Sequence, residues 1–442
     1  MMFHDRRGVS GPLAHFVGGP VATQLHARFV LYMSAGLAKH RAAMFNTILP
    51  APPDSILGLT DAWRKDPNPL KVNLGVGVFK DDSGNTPILA SVKAAEALIL
   101  QSATTKSYMP ISGAPEYASC VQALIFGGEH EIIRDARART AHTPGGTAAL
   151  RTGADFLKKV LPGATVWMSA PTWANHKGVF GAAGFPTADY PYYDAASKGL
   201  DFARMQEALE QIPAGDIVLL HACCHNPTGV DLSVGQWQVV ADIAARRGWL
   251  PFLDFAYQGY GDGLEQDRAG VLALAAVCPE FLVASSFSKN FGLYQDRTGA
   301  LTLVAGTAAV AADAFSNVEI VIRVNYSNPP AHGGLIVSRI LSDEALRGQW
   351  LAELTAMREH IAATRTKFVA ALGSYGVPGD FSFITRQKGM FSFSGLSDGQ
   401  VKFLRDSKSI YIVGGGRINV AGITSQNLEY LCASIGEALA MG

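Results

Sequence analysis

From about Ser91 onward the apolar positions fall into two recurring patterns: short unbroken runs, and longer stretches with helical spacing. Ser91 to Gln101 reads as a helix, and Thr165 to Ser169, Ile217 to Cys223, Leu250 to Asp254 and Phe281 to Ser285 read as short buried strands. Apolar strands separated by helical stretches require crossover connections, so they predict an α/β core with a mostly parallel sheet. After Leu351 the pattern changes to a long helical segment, then to strand-like alternation over Phe381 to Ser394, with Ser397 and Gln400 at capping-box spacing. Tyr411 to Val413 and Ile418 to Val420 read as short strands around a glycine run, and Leu428, Leu431, Ile435 and Leu439 share one face of a final helix. The expected organisation is a large α/β domain over 86–356 and a smaller α+β domain formed by 44–85 and 357–442.

Residues 1–43 stand apart. Arg6, Arg7, Arg28, Lys39 and Arg41 face a single acid, Asp5, and no periodic apolar face appears. The segment is expected to be an extension outside the fold; a transit peptide is the alternative, although Ser10 and Ser34 are few serines for one. The first reading places the protein in the cytoplasm, the second in the mitochondrial matrix.

Composition narrows the picture further. With 442 residues and 48% hydrophobic content the chain can bury a large core. Its 37 basic and 37 acidic side chains cancel, so no global field draws it to nucleic acid or to an anionic membrane. No apolar run approaches the roughly 18 residues of a membrane span. Five cysteines, an odd set with Cys223 and Cys224 adjacent, offer neither a disulfide framework nor metal-ligand spacing, so a reducing compartment and no metal are expected.

In an open parallel sheet ligands bind beyond the carboxyl ends of the strands, which makes the residues after each run the ones to read. Here they are Trp173 and His176, then Asn226, then Asp254 and Tyr257, then Ser286 and Lys289, with Thr143-Pro144-Gly145-Gly146-Thr147 leading into a helix whose free N–H groups can hold a phosphate. Singly, each has an ordinary explanation as a cap, turn, core or surface residue. Together they supply what one cofactor, pyridoxal 5'-phosphate, requires. Lys289 offers the amine for the Schiff base, and a buried Asp254 would keep the pyridine nitrogen protonated so that the ring can act as an electron sink. Tyr257 and Asn226 can donate to the phenolic oxygen, Trp173 can stack on the ring, and Gly146, Thr147, Ser286 and Arg297 can hold the phosphate, with His176 behind the acid.

Through Asn73-Leu74-Gly75-Val76-Gly77-Val78, Arg137-Ala138-Arg139-Thr140, Cys223-Cys224-His225-Asn226-Pro227-Thr228-Gly229, Asp254-Phe255-Ala256-Tyr257-Gln258-Gly259, Ser286-Phe287-Ser288-Lys289-Asn290-Phe291-Gly292 and Asn325-Tyr326-Ser327-Asn328-Pro329-Pro330, the sequence from Met44 to Gly442 closely resembles the class I aspartate and aromatic amino acid aminotransferases. The resemblance implies fold type I of the PLP-dependent transferases and a homodimer whose active site lies at the subunit interface, with Tyr108 and Arg323 reaching the neighbouring subunit's site. It also implies that Arg417 clamps the substrate α-carboxylate, helped by Asn226 and the backbone of Gly77 and Trp173, and that Arg323 meets a distal carboxylate.

The expected reaction is ping-pong transamination between aspartate or glutamate and a 2-oxo acid such as 2-oxoglutarate or oxaloacetate; dual acidic and aromatic specificity is the alternative. Phe79, Phe287 and Ser107 depart from residues common in the family, and with the run Gly414-Gly415-Gly416 they bear on that choice. Decarboxylation or elimination is disfavoured by two substrate arginines. A regulatory protein would need a DNA-binding module that the first 43 residues, lacking a helix-turn-helix pattern, do not provide.

Overall fold

The computed structural model describes Phe45, residues 48–51 and residues 57–441. The extension expected over 1–43 lies outside the described residues.

Seven strands make the main sheet: β1 (Ala138–Pro144), β2 (Val166–Ala170), β3 (Thr187–Pro191), β4 (Ile217–His221), β5 (Leu250–Phe255), β6 (Phe281–Ser286) and β7 (Thr298–Val304). Their spatial order is β1-β7-β6-β5-β4-β2-β3. All neighbouring pairs run parallel except the two that involve β7, which is antiparallel to both β1 and β6. The four strands predicted from apolar runs are present, shifted by at most two residues at their ends. Both faces of the sheet are covered, and the period-2 alternation of β4 shows it: Val218 and Leu220 enter one apolar layer with Trp237 and Val240, while Leu219 enters the other with Leu150 and Phe252.

The helix Val234–Arg247 illustrates how the crossovers are bounded. Ser233 and Gln236 form a reciprocal capping box at its start, and Gly248, at φ 73°, supplies the left-handed residue that ends it. The predicted box of Ser397 and Gln400 likewise opens the helix Asp398–Lys408.

The long helix Glu344–Ser374 starts seven residues before the change of pattern at Leu351. It carries Trp350, fully buried, which stacks on Phe291 with ring centroids 4.4 Å apart and donates from Nε1 to the Asn290 carbonyl at 2.7 Å. Those contacts fix the turn that follows Lys289, and truncating such a tryptophan typically costs about 3–5 kcal/mol.

The alternation over Phe381 to Ser394 does not form one strand. Phe383–Arg386 is a short helix, and only Phe391–Phe393 is extended, antiparallel to Arg417–Asn419. Phe381, Phe383, Phe391 and Phe393 mimic one run of period two although Phe381 precedes the short helix, Phe383 lies on it, and Phe391 and Phe393 share the strand, Phe393 only half-buried. Val72–Asn73 pairs in parallel with Ile410–Tyr411, bringing the segment after Asn73 beside Arg417.

Candidate active site

The carboxyl ends of β4, β5 and β6 open into a cavity of about 650 Å³. Because β7 runs against its neighbours, its first residues lie at this same edge, and Arg297 arrives there immediately before it. Eleven of the predicted site residues line the cavity: Gly77, Gly146, Thr147, Trp173, Asn226, Asp254, Tyr257, Ser286, Lys289, Arg297 and Arg417.

On the floor, Asp254 is buried near the end of β5. Its Oδ2 lies 2.9 Å from His176 Nε2, and the other ring nitrogen of His176 lies 2.8 Å from Thr172 Oγ1. Asp254 Oδ1 accepts the N–H of Ala256 at 3.1 Å. Burial acts to raise this carboxyl, but the His176 hydrogen bond, with Lys289 nearby, outweighs it and holds the group below its ordinary value. A carboxylate so held can bind a protonated ring nitrogen. Behind it, His221 is buried with neither ring nitrogen partnered among the described residues, and burial, aided by His176, pulls it down to about 3.

Lys289 approaches from the β6 side, its Nζ 4.8 Å from the centre of the Tyr257 ring. Burial lowers its amine to about 8; Asp254 opposes that shift and Arg297 adds to it. A lysine with this titration is substantially neutral just above pH 8, the state a nucleophile or general base needs.

A candidate anion cradle lies at the start of the helix Gly146–Val160, whose N-cap, Gly145, has no side chain to satisfy the free N–H groups. A Cβ on Gly145 would fall 2.4 Å from an Arg297 guanidinium nitrogen, and one on Gly146 would fall 2.9 Å from Ser286 Cβ. Glycine is therefore what lets the arginine and serine close on the helix terminus. Arg297 is steered by Ser288 Oγ at 3.2 Å and the Tyr294 carbonyl at 2.9 Å. Free N–H groups, hydroxyls and a guanidinium at one helix end fit an organic phosphate.

Arg417 is buried at the start of the strand Arg417–Asn419. It donates to Asn226 Oδ1 at 3.2 Å and to the Gly75 carbonyl at 2.5 Å, while its Nε has no partner among the described residues. Its guanidinium lies 4.2 Å from the centre of the Phe391 ring. Burial without a carboxylate partner lowers it to about 10, a state that an incoming carboxylate would relieve. Since Asn226 uses its oxygen for Arg417, its amide N–H groups are left to donate into the cavity. Trp173, half-buried, forms the cavity wall at the start of the helix Ala174–Ala182, edge-on to His176.

Tyr108 and Arg323 are not in this cavity. Tyr108 is 91% exposed, and Arg323, on the last turn of the helix Ala308–Asn325, is also exposed and donates to Ser327 Oγ. Sequence reasoning passed over Phe391 and Tyr294, which also line the cavity. Phe391 gave no signal beyond its apolar alternation, whereas the position of Tyr294 between Lys289 and Arg297 could have marked it.

The aminotransferase class I and II family model matches residues 69–435. The chain is 54% identical to the aspartate aminotransferase of Salmonella typhi over 392 residues, 89% of this chain and 99% of that one. It is 47% identical to the aromatic-amino-acid aminotransferase of Pseudomonas aeruginosa, over 90% of this chain and 99% of that one. Among solved structures, the aromatic-amino-acid aminotransferase of Burkholderia pseudomallei, covalently bound to pyridoxal phosphate, superposes with a TM-score of 0.87 at 45% identity, covering 90% of this chain and 100% of that one. Together with a lysine, an acid, an anion cradle and a free arginine in one cavity, these matches show that the chain is an enzyme belonging to the class I and II aminotransferases.

Proposed function

We propose that the chain catalyses pyridoxal-phosphate-dependent, ping-pong transamination between aspartate or glutamate and a 2-oxo acid such as 2-oxoglutarate or oxaloacetate. The observation that carries this reading is the placement of Lys289, Asp254, the Gly146–Arg297 cradle and Arg417 around one cavity. When bound, the cofactor supplies an electron-withdrawing ring that stabilises negative charge developing at the substrate Cα. Gly146, Thr147, Ser286 and Arg297 would hold its phosphate, with Tyr108 reaching the partner's. Asp254, backed by His176, would hold a proton on its ring nitrogen; Tyr257 and Asn226 would donate to its phenolic oxygen; and Trp173 would cover a face. Arg417 would clamp the substrate α-carboxylate, helped by Asn226 and the backbone of Gly77 and Trp173. Lys289 Nζ would take the Cα proton as general base, which its titration near 8 favours.

Further parts of the reading follow the resemblance: a homodimer with its sites at the interface, Arg323 as distal-carboxylate clamp, and 44–85 with 357–442 as a small domain beside the 86–356 domain. Five free thiols, four of them buried, favour the reducing cytoplasm. Aromatic specificity beside the acidic one is a second reading, favoured by the relatives named for aromatic substrates.

The test is an assay of the purified protein with pyridoxal phosphate, offering aspartate, glutamate, tyrosine and phenylalanine against 2-oxoglutarate, with products identified. Release of carbon dioxide or ammonia in place of a 2-oxo acid would refute transamination.

A further inference from the structure

Arg365 lies within the long helix Glu344–Ser374 and is 3% exposed. Its guanidinium meets uncharged acceptors. Nη1 donates to the Ile384 carbonyl at 3.2 Å and to Ser392 Oγ, and Nη2 donates to the Gly389 and Phe391 carbonyls, each at 2.7 Å. An apolar side chain would fill that place on the helix with a smaller desolvation cost, so the charge has to be accounted for by what it holds.

What it holds is the segment that leads into the strand Phe391–Phe393. That segment lies tightly on the loop that carries Asn226. The Lys388 N–H donates to the Gly229 carbonyl at 2.6 Å, a Cβ on Gly229 would fall 2.5 Å from the Phe391 carbonyl oxygen, and one on Gly389 would collide with Cys224 Cβ. On its other side the Val420 N–H donates to the Met390 carbonyl at 2.8 Å. From this seat the Phe391 ring reaches the cavity, 4.2 Å from the Arg417 guanidinium and edge-on to Tyr257 with ring centroids 6.2 Å apart. Phe391 therefore joins two guanidiniums, Arg365 through its carbonyl and Arg417 through its ring.

We propose that Arg365 is a positioning residue for the α-carboxylate site: it clamps the backbone of Gly389 and Phe391 so that the Phe391 ring supports Arg417 beside Asn226. The inference rests on the reading of Arg417 as the α-carboxylate clamp. Arg365 stands outside the cavity and acts through Phe391 alone. With the ring free to tilt, Arg417 would be oriented only by Asn226 and the Gly75 carbonyl, and an incoming carboxylate would meet a less fixed guanidinium.

The experiment uses the holoenzyme and the variants Arg365→Lys, Ser392→Ala, Phe391→Leu and the double variant of Arg365→Lys with Phe391→Leu. Lysine keeps the charge but has no planar fork to span the acceptors, and Ser392→Ala removes one acceptor while leaving the three carbonyls. KM for the amino acid should rise about tenfold in Arg365→Lys and about threefold in Ser392→Ala, with kcat within about twofold, because the binding lost is common to ground and transition states. Phenylglyoxal labelling of Arg417, read by peptide mass spectrometry, should quicken about fivefold in Arg365→Lys, while labelling of Arg297, which Ser288 and Tyr294 hold, stays within about twofold. The double variant should raise KM no further than Phe391→Leu does, because both changes act through one ring.

An unchanged rate of Arg417 labelling in Arg365→Lys would overturn the proposal even if the melting temperature fell, since the role would then be merely structural. So would an unchanged KM, multiplying effects in the double variant, or a rise in Arg297 labelling equal to that of Arg417, which would mean general loosening. If Arg365→Lys does not fold, Ser392→Ala decides by the same readouts. Labelling does not depend on turnover, so failure of this support and failure of the assigned reaction are distinguishable.

Discussion

His176 Nε2 lies 2.9 Å from Asp254 Oδ2 while its other ring nitrogen faces Thr172 Oγ1, so the imidazole fixes the carboxylate from behind and leaves its charge directed toward the cavity. That charge favours the protonated amine of Lys289, against burial and Arg297. In cofactor-free protein, the rate at which an amine reagent modifies Lys289 should therefore follow a midpoint at about pH 8. Replacing Asp254 with asparagine removes the stabilising negative charge, so the midpoint should move lower. Peptide mass spectrometry at Lys289 across pH reads it; a midpoint that stays put or rises would mean that Asp254 does not act on this lysine.

The residues that line the cavity were legible because they stand within or just beyond short apolar runs that fold as buried strands: Asp254 within one, Lys289 just beyond another, Asn226 beyond a third. Three strands of the main sheet were not legible. Ala138–Pro144 reads Ala-Arg-Thr-Ala-His-Thr-Pro and Thr187–Pro191 reads Thr-Ala-Asp-Tyr-Pro, too polar for the pattern of a buried strand. Thr298–Val304 is apolar enough, but its antiparallel direction is set by the short return after Lys289, which no local periodicity reports. Tyr294 and Phe391 remained hidden for a related reason: their contacts are made with other segments of the chain, Tyr294 with Phe79, 215 residues distant, and Phe391 with Gly77 and Arg417.

Acid should destabilise the fold through His142. This side chain is 1% exposed, packs on Tyr117 with ring centroids 4.4 Å apart, and has no partner for either ring nitrogen among the described residues. Burial lowers it to about 4, whereas the unfolded chain binds the proton near 6.5. Between those values the unfolded state carries more protons, so stability rises with pH across the window and is lost as pH falls from about 6.5 toward 4. By about pH 5 the loss from this residue should be about 2 kcal/mol. Urea unfolding from about pH 7 to about pH 5 should show that slope in the parent protein and a flatter one in His142→Phe. Equal slopes would exclude His142 as the source.

A methyl group at Gly77 should disturb every substrate alike. An added Cβ would fall 2.5 Å from Phe391 Cζ, and the Phe391 ring supports the Arg417 guanidinium at 4.2 Å. Gly77→Ala must shift either the loop or that ring, so KM for acidic and aromatic amino acids should rise together by about tenfold, a cost of about 1.4 kcal/mol. Cofactor affinity, measured by titrating the cofactor-free protein, should stay within about twofold, since the phosphate cradle is formed by other segments. A selective loss of one substrate class would show that Gly77 borders the side-chain pocket instead.

In the proposed reaction the two arginines should separate the substrate classes. Arg417 is buried in the cavity with Asn226 and Gly75 as its acceptors, so it can meet the α-carboxylate that every amino acid carries. Arg323 lies outside the cavity of its own chain, exposed on the last turn of its helix, and in the proposed dimer it meets only a distal carboxylate in the neighbouring site. Replacing Arg323 with leucine removes one partner of a desolvated charge pair, worth about 2–5 kcal/mol. At about 1.36 kcal/mol per decade, kcat/KM for aspartate should fall by roughly 30-fold to several thousand-fold. Phenylalanine and tyrosine present no distal carboxylate, so their transamination should change little or rise as an apolar wall replaces the guanidinium, and selectivity should invert. Arg417→Leu should damage acidic and aromatic substrates equally. If Arg323→Leu, still folded and dimeric, lost activity on both classes to the same extent, Arg323 would not be the distal clamp, and the preference for dicarboxylates would lose its physical basis.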